Sequence, residues 1–242
     1  MKRLPWIGLG LCVALAACGR PRDATQPAPT TPAGPVVERA EPVKWNAAAG
    51  GFELGGKPLK TVKLWTFDGS TEGFTGMGSK IVPAAGSGIS VTISDPTIRS
   101  PKGLNVPGAQ YPLVLVRLTR VAAAPAWDGA LYYSTPTHGE GIGYLGKPIF
   151  GANPAVGETT TLVYDMSRQA IGGPDWTQST IDQIRFDLED RPGGAFLIRQ
   201  IAIAENPDPS IFGPASASPT PASPAPATAV QPPAAAPMKA KP

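Results

Sequence analysis

The residues best equipped for chemistry in this sequence are aromatic rings and planar polar groups. Trp127, Tyr132, Tyr144 and Trp176 fall in or beside expected loops and strand ends. A sugar ring offers an apolar C–H face that stacks on such side chains, and its hydroxyls need partners of the Arg, Asn, Gln or Asp kind. Trp127-Asp128-Gly129 and Tyr132 are the aromatic positions expected to be exposed. Arg117 and Arg185 are expected either to supply hydrogen-bond forks in a shared groove or to pair with Asp187 or Glu189. Trp176 reads as a core plug or as a ligand contact. The candidate ligand-binding set is Trp127, Tyr132, Arg117 and Trp176.

Catalytic signals are poor. His138 is the one histidine in the chain, and no Gly-x-Ser-x-Gly sequence accompanies it. His138-Gly139-Glu140 has the His-x-Glu spacing, but no cysteine or second histidine completes a zinc set. Gly141-Ile142-Gly143-Tyr144-Leu145-Gly146 fits Gly-x-Gly-x-x-Gly. It runs into Lys147-Pro148 rather than a helix, so it reads as a loop and not as a phosphate cradle. Glu189 and Asp190 are adjacent and point to opposite faces of a strand, which does not suit a glycosidase pair. The expectation is a non-catalytic chain. A net charge of +3 without a Lys/Arg-rich run leaves no footprint for nucleic acid.

The elements that must position these residues are strands. Thr180–Ile203 organises the reading. Ile184, Phe186 and Leu188 alternate with Gln183, Arg185, Asp187 and Glu189, the period-2 pattern of a half-buried strand. Asp190–Gly194 then breaks the strand. In the following run Phe196 and Ile198 lie on one parity and Ile201 and Ile203 on the other, which predicts a bulge near Arg199-Gln200. The pair is expected to form an antiparallel hairpin. Further strands are expected at Val62–Phe67, Gly88–Ser94 (ended by Asp95-Pro96), Pro112–Val121, Ala130–Thr135 and Thr160–Met166. Val43–Gly56 reads as irregular. Tyr133, Tyr164, Trp65 and Phe67 read as core. Short strands split by Gly/Pro turns, without a long amphipathic helix, make the fold class all-β, an antiparallel β-sandwich.

The chain's ends differ from its middle. Most of the 30 prolines lie there, so the domain is placed at 43–213. Lys2 and Arg3 precede an apolar run at Trp6–Ala14, too short to span a bilayer as a resident helix. The run ends in Leu15-Ala16-Ala17-Cys18-Gly19. This sequence resembles the bacterial lipobox. It implies a signal peptide at 1–17, acylation of Cys18 and a stable membrane anchor. The alternative is an ordinary signal peptide with a chance cysteine. Gly19 after the cysteine implies, by analogy with enterobacterial sorting, an outer-membrane lipoprotein of the cell envelope. Segments 18–42 and 214–242 are rich in Pro, Ala, Thr and Ser and are expected to be disordered. Cys12 and Cys18 are the chain's two cysteines, so the domain has neither a disulfide nor a thiolate site.

Two stretches of the domain together resemble the galactose-binding-like jelly-roll family. The first is Trp65-x-Phe67-Asp68-x-x-x-x-Gly73-Phe74. The second is Trp176 with Ile181-x-x-Ile184-Arg185-Phe186-Asp187 and Gly193-Gly194-x-Phe196-x-Ile198-x-x-Ile201-x-Ile203. The likeness spans roughly 64–204. It implies a jelly-roll sandwich similar to carbohydrate-binding modules, though the family also includes domains that bind other partners or only pack. Arg199 stands where many members carry an acidic residue. The resemblance also implies a structural calcium between the first and last strands, with Asp68, Glu72 and Asp187 as its ligands. No other cofactor is expected. Expected partners are the membrane through the anchor and a polysaccharide; the alternative partner is an envelope protein held by an adaptor sandwich. If Cys18 carries the acyl chains, growth with an alkyne-tagged palmitate labels the wild-type chain. Cys18→Ser then loses both the label and recovery in the membrane fraction.

Overall fold

A computed structural model describes residues 37–38, 42–86, 88–168 and 171–212. The expected signal peptide at 1–17, Cys18, most of the expected linker at 18–42 and the 214–242 tail lie outside the described residues. The strands are β1 (Val37–Glu38), β2 (Val43–Asn46), β3 (Gly51–Leu54), β4 (Lys57–Pro58), β5 (Thr61–Trp65), β6 (Thr75–Pro83), β7 (Ile89–Arg99) and β8 (Val106–Pro107). They continue with β9 (Leu113–Ala122), β10 (Trp127–Ser134), β11 (Leu145–Gly146), β12 (Glu158–Asp165), β13 (Thr180–Ile181), β14 (Gln183–Glu189) and β15 (Ala195–Ala204). One short helix, α1 (Asp175–Gln178), precedes β13.

The main sheet has the order β1-β12-β9-β15-β7-β14-β10-β11, with β5 also on β15 and β6 also on β7. All of its pairings except β1 with β12 are antiparallel. Strand β7 folds this sheet on itself. Ile89–Thr92 pairs with β15, whereas Thr97–Arg99 pairs with β14. Two leaves result. Leaf A holds β12, β9, β15, β5 and the start of β7. Leaf B holds the end of β7 with β14, β10 and β11. Side chains of both leaves meet in one core: Val114, Val116, Leu118, Ile198, Ile201 and Ile203 from A, and Leu131, Tyr133, Ile184, Phe186 and Leu188 from B. This is an antiparallel sandwich of the all-β class.

Leaf A is buried on both faces, and for that reason β9 reads as almost unbroken apolar sequence. Leu113 and Leu115, which alternate with the core residues of β9, enter a second core with Val163, Ala202 and Ala204. The cover is the meander β2-β3-β4, which contributes Val43, Phe52 and Leu54, with Leu59 and Phe212 beside it. Trp45 packs edge-on against Phe52 at 5.1 Å between centroids. The segment expected to be irregular is therefore a third layer. Val43 and Trp45, and Phe52 and Leu54, do alternate, but each strand is only four residues long, too short for the period-2 pattern to stand out beside the neighbouring glycines.

Three further expectations change. β14 and β15 do not pair with each other, so they are not a hairpin. The turn between them crosses from leaf B to leaf A, and both strands pair instead with β7. β7 runs through Asp95-Pro96 to Arg99 and does not end there. β6 was not anticipated. Its residues are mostly exposed and include Gly76, Gly78 and Pro83, as suits an edge strand. The bulge in β15 lies between Ile198 and Gln200, and it returns Ile201 and Ile203 to the same core face as Phe196 and Ile198.

A buried ion pair fastens the turn between the leaves. Glu189 is fully buried and takes the Nε and Nη2 of Arg120 on Oε1, with 3.0 Å to Nε; its Oε2 accepts from the Ala124 amide at 3.0 Å. Arg120 also donates to Asn153 Oδ1 at 2.9 Å and Pro154 O at 2.8 Å. A side chain on Gly194 would run into the Glu189 carboxylate. Glu189→Ala leaves the guanidinium buried without its counter-charge and is expected to cost about 3–5 kcal/mol. Urea unfolding of the two chains checks this, and a loss below about 1 kcal/mol would contradict it.

Candidate functional site

Leaf B keeps a polar outer face, and register decides what lies on it. Tyr132 of β10 is opposite Arg185 of β14, and Arg185 is opposite Arg99 of β7. Opposed residues share a face, so the three form a row across the leaf. Thr75 of β6 extends the row beyond Arg99. Asp187, two residues along β14 from Arg185, stands on the same face beside Thr97.

The row is tied into one plate. The Arg185 guanidinium lies over the Tyr132 ring, its Cζ 4.0 Å from the centroid. Its Nε and Nη2 donate as a fork to Asp187 Oδ1 and Oδ2 at 3.0 and 2.8 Å. Its Nη1 donates to Glu140 Oε2 at 2.8 Å. Glu140 belongs to the Gly-rich stretch after β10. It also receives Arg99, from Nε at 2.9 and 3.0 Å and from Nη2 at 2.8 Å. Met77 Sδ accepts from Arg99 Nη1 at 3.5 Å. All four charged side chains are between 12% and 20% exposed, so their remaining polar edges reach water.

The electrostatics follow from this packing. Burial tends to raise the Glu140 carboxyl, but hydrogen bonds from Arg99 and Arg185 outweigh it and hold the group below its ordinary value. Burial lifts the Asp187 carboxyl above its ordinary value; Arg185 opposes this, and the charges of Asp128 and Glu140 add to it. Burial, then the charges of Asp187 and Asp128, also raise the Tyr132 phenol. Burial opposes the charge of Arg185, but Asp187 and Glu140 keep it firmly protonated.

The other sequence-derived candidates lie elsewhere. Arg117 sits on leaf A, where it donates to Gln200 Oε1 at 3.2 Å, so it does not share a groove with Arg185 or Tyr132. Trp127 is half-buried. Its Nε1 donates to Ala152 O at 3.1 Å, its ring tilts against Phe196, and Arg120 lies over it at 5.2 Å. Trp176 is fully buried, donates to Tyr111 O at 3.2 Å and meets Tyr133 edge-on, so its ring is not open to a ligand. Of the two readings of Trp176 the structure shows the core plug, whereas Trp127, expected to be exposed, is drawn partly into the apolar core.

The expected calcium ligands are not brought together. Glu72 Oε1 accepts the amides of Thr66 and Phe67, holding a turn in which Phe67 and Glu72 both have positive φ. Asp68 accepts from Thr66 Oγ1, and Asp187 is taken up by Arg185. No group of three or more His, Cys, Asp or Glu among the described residues could hold a metal ion. His138 is spent on structure. Its Nε2 and the Tyr133 hydroxyl both meet Asp175 Oδ2, at 2.9 and 2.8 Å, and its Nδ1 faces Gly139 O. Its ring stacks on Tyr144 at 3.6 Å. This contact anchors the stretch that carries Glu140. Glu140 and Arg99 escaped sequence reading, because Arg99 and Arg185 meet Glu140 only across separations of 41 and 45 residues.

No family model matches this chain, and no curated protein matches it. Solved structures do. A family 29 carbohydrate-binding module from Piromyces equi aligns at 13% identity over 56% of this chain and 83% of its own, with a TM-score of 0.39. A family 6 module from Clostridium stercorarium, in complex with cellobiose, aligns at 11% identity over 55% of this chain and 86% of its own, with a TM-score of 0.33. A carbohydrate esterase from the Shiga toxin-encoding bacteriophage phi24B aligns at 12% identity over 61% of this chain and 99% of its own, with a TM-score of 0.38. At these scores the likenesses decide neither ligand nor reaction for this chain.

Ionised Glu140 stabilises the fold at pH above its unfolded-state value, because its folded-state value is the lower of the two. That contribution disappears as pH falls through the folded-state value. Asp187, whose value is raised, acts with the opposite sign: the fold gains as pH drops through its folded-state value. Glu140→Gln is expected to cost about 1 kcal/mol near neutral pH after solvent screening. The cost shrinks to zero in acid, where both states are protonated. Urea unfolding across the acid range reads this; a cost independent of pH would be the contrary result.

Proposed function

We propose that this chain is a non-catalytic carbohydrate-binding β-sandwich, held at the bacterial cell envelope by acyl chains on Cys18. The observation that carries the binding reading is the Tyr132–Arg185 plate on the outer face of leaf B. The guanidinium stacked on the ring makes an amphipathic pair, and Glu140 and Asp187 fix the arginines of this face through five N–H donations. A pyranose has the matching construction, with an apolar C–H face and a rim of hydroxyls that accept from Arg and donate to carboxylates. Fixing the plate in advance reduces the ordering cost of binding. Tyr132 is retained from the sequence-derived ligand set, and Arg185 joins it.

The non-catalytic reading is supported by His138, whose two ring nitrogens face Gly139 O and Asp175 Oδ2 and no hydroxyl or thiol. It is also supported by the engagement of the face's carboxylates with arginine. The lipid anchor and the outer-membrane location rest on the Leu15-Ala16-Ala17-Cys18-Gly19 sequence. On this reading the Pro-rich linker holds the sandwich clear of the lipid, with reach of about 3.1 Å per residue where extended.

The test is native affinity electrophoresis of the detergent-solubilised full chain through gels holding neutral polysaccharides. Retardation by at least one polysaccharide is expected. Tyr132→Ala and Arg185→Ala should each weaken it about tenfold, the scale of one stacking contact, with thermal unfolding still cooperative. A chain that no polysaccharide retards, and that instead co-purifies with a fixed envelope protein, would replace this reading with the adaptor one.

A further inference from the structure

We infer that Glu140 is a specificity-determining residue: it occupies and neutralises a two-arginine clamp, and so restricts the face of leaf B to uncharged glycans. This rests on the carbohydrate-binding reading of that face. The geometry is that of a bound carboxylate. Glu140 Oε2 accepts from Arg99 Nη2 and from Arg185 Nη1, each at 2.8 Å, and Arg99 Nε closes a fork onto both oxygens. Paired arginines arranged in this way would take a uronate or other carboxylated sugar from solution. Here the carboxylate comes from the chain itself.

Charge and tethering decide the competition. Arg99 and Arg185 are balanced by Glu140 and Asp187, and Lys147 lies against Asp128 beside them. Asp190 is close enough to act on the Tyr132 phenol and adds a further negative charge. Among these side chains four negative charges stand against three positive ones, so they give a polyanion no net attraction. Glu140 is also intramolecular, and a short tether supplies an effective concentration of about the millimolar range, above that of a dilute competing sugar. Its neighbours Gly139 and Gly141 have open space where a side chain would stand. The His138–Tyr144 stack anchors the stretch, and the Glu140 carboxylate makes its contact with the two arginines. Among the described residues Glu140 is the only carboxylate partner of Arg99, so removing its charge frees that guanidinium for a ligand.

The experiment is affinity electrophoresis of the detergent-solubilised full chain against polygalacturonate and alginate at low and high salt, with a neutral galactomannan and hydroxyethylcellulose run in parallel. The wild-type chain is expected to pass the two polyanions unretarded. Glu140→Gln should be retarded by them, with affinity at least tenfold higher than wild type at low salt and the gain lost at high salt. Glu140→Asp, which keeps the charge, should show no gain, and adding Arg99→Gln to Glu140→Gln should remove it. Glu140→Ala repeats the measurement if the glutamine variant does not fold. Salt-sensitive retardation of the wild type by a polyanion would overturn the inference. So would a folded Glu140→Gln chain without the gain, or a gain that survives Arg99→Gln. Failure of the wild type on every neutral polysaccharide would count against the carbohydrate reading itself, which the polyanion gels do not measure.

Discussion

The sandwich depends on one strand being shared between two leaves. β7 gives its first residues to β15 and its last to β14, so a single hydrogen-bonded sheet turns back on itself instead of two sheets meeting only through side chains. The edge strand β6 pairs with β7 on both sides of the bend, which keeps the two halves in one sheet. The same sharing sets where the strand after the 190–194 turn must go. β14 leaves one leaf and β15 enters the other, and Phe196, Ile198, Ile201 and Ile203 all reach the core only because the bulge after Ile198 resets the side-chain parity.

Closure of the sheet leaves two outer faces, and they have different fates. The outer face of leaf A carries Leu113, Leu115, Val163, Ala202 and Ala204, enough apolar surface to require cover, and the β2-β3-β4 meander supplies it. The outer face of leaf B carries Tyr132, Arg185, Asp187 and Arg99 in register. It is covered only in part, by the stretch that brings Glu140. The polar and apolar alternation of β14 thus has a purpose beyond solubility: one parity builds the core and the other builds the charged plate.

Two ionic groups in the molecule look alike and differ in consequence. Arg120 and Glu189 are almost sealed from water and carry hydrogen bonds on both partners. Such a pair contributes little net stability relative to apolar residues, but losing one partner is costly, so it specifies how the turn closes. The Arg99–Glu140–Arg185–Asp187 group keeps contact with solvent. Each bond there is screened and worth less, and its effect is to hold the side chains of that face in place with their charges offset.

The alternation of Ile184, Phe186 and Leu188, the apolar run of β9 and the parity switch in β15 are local patterns. They were enough to read an all-β sandwich, the core roles of Tyr133 and Tyr164, and the bulge, because period and burial are written along a single strand. The sequence also limited the chemistry, through one histidine and a domain without cysteine. Which strands pair was not legible: Ile184 and Phe196 look like partners in a hairpin, yet β7 separates them. Nor was it legible that Arg117 and Tyr132 lie on different leaves, or that Glu140 meets Arg99 and Arg185. Those facts depend on register between distant segments, and register is fixed by the simultaneous burial of both leaves and by no single stretch of chain.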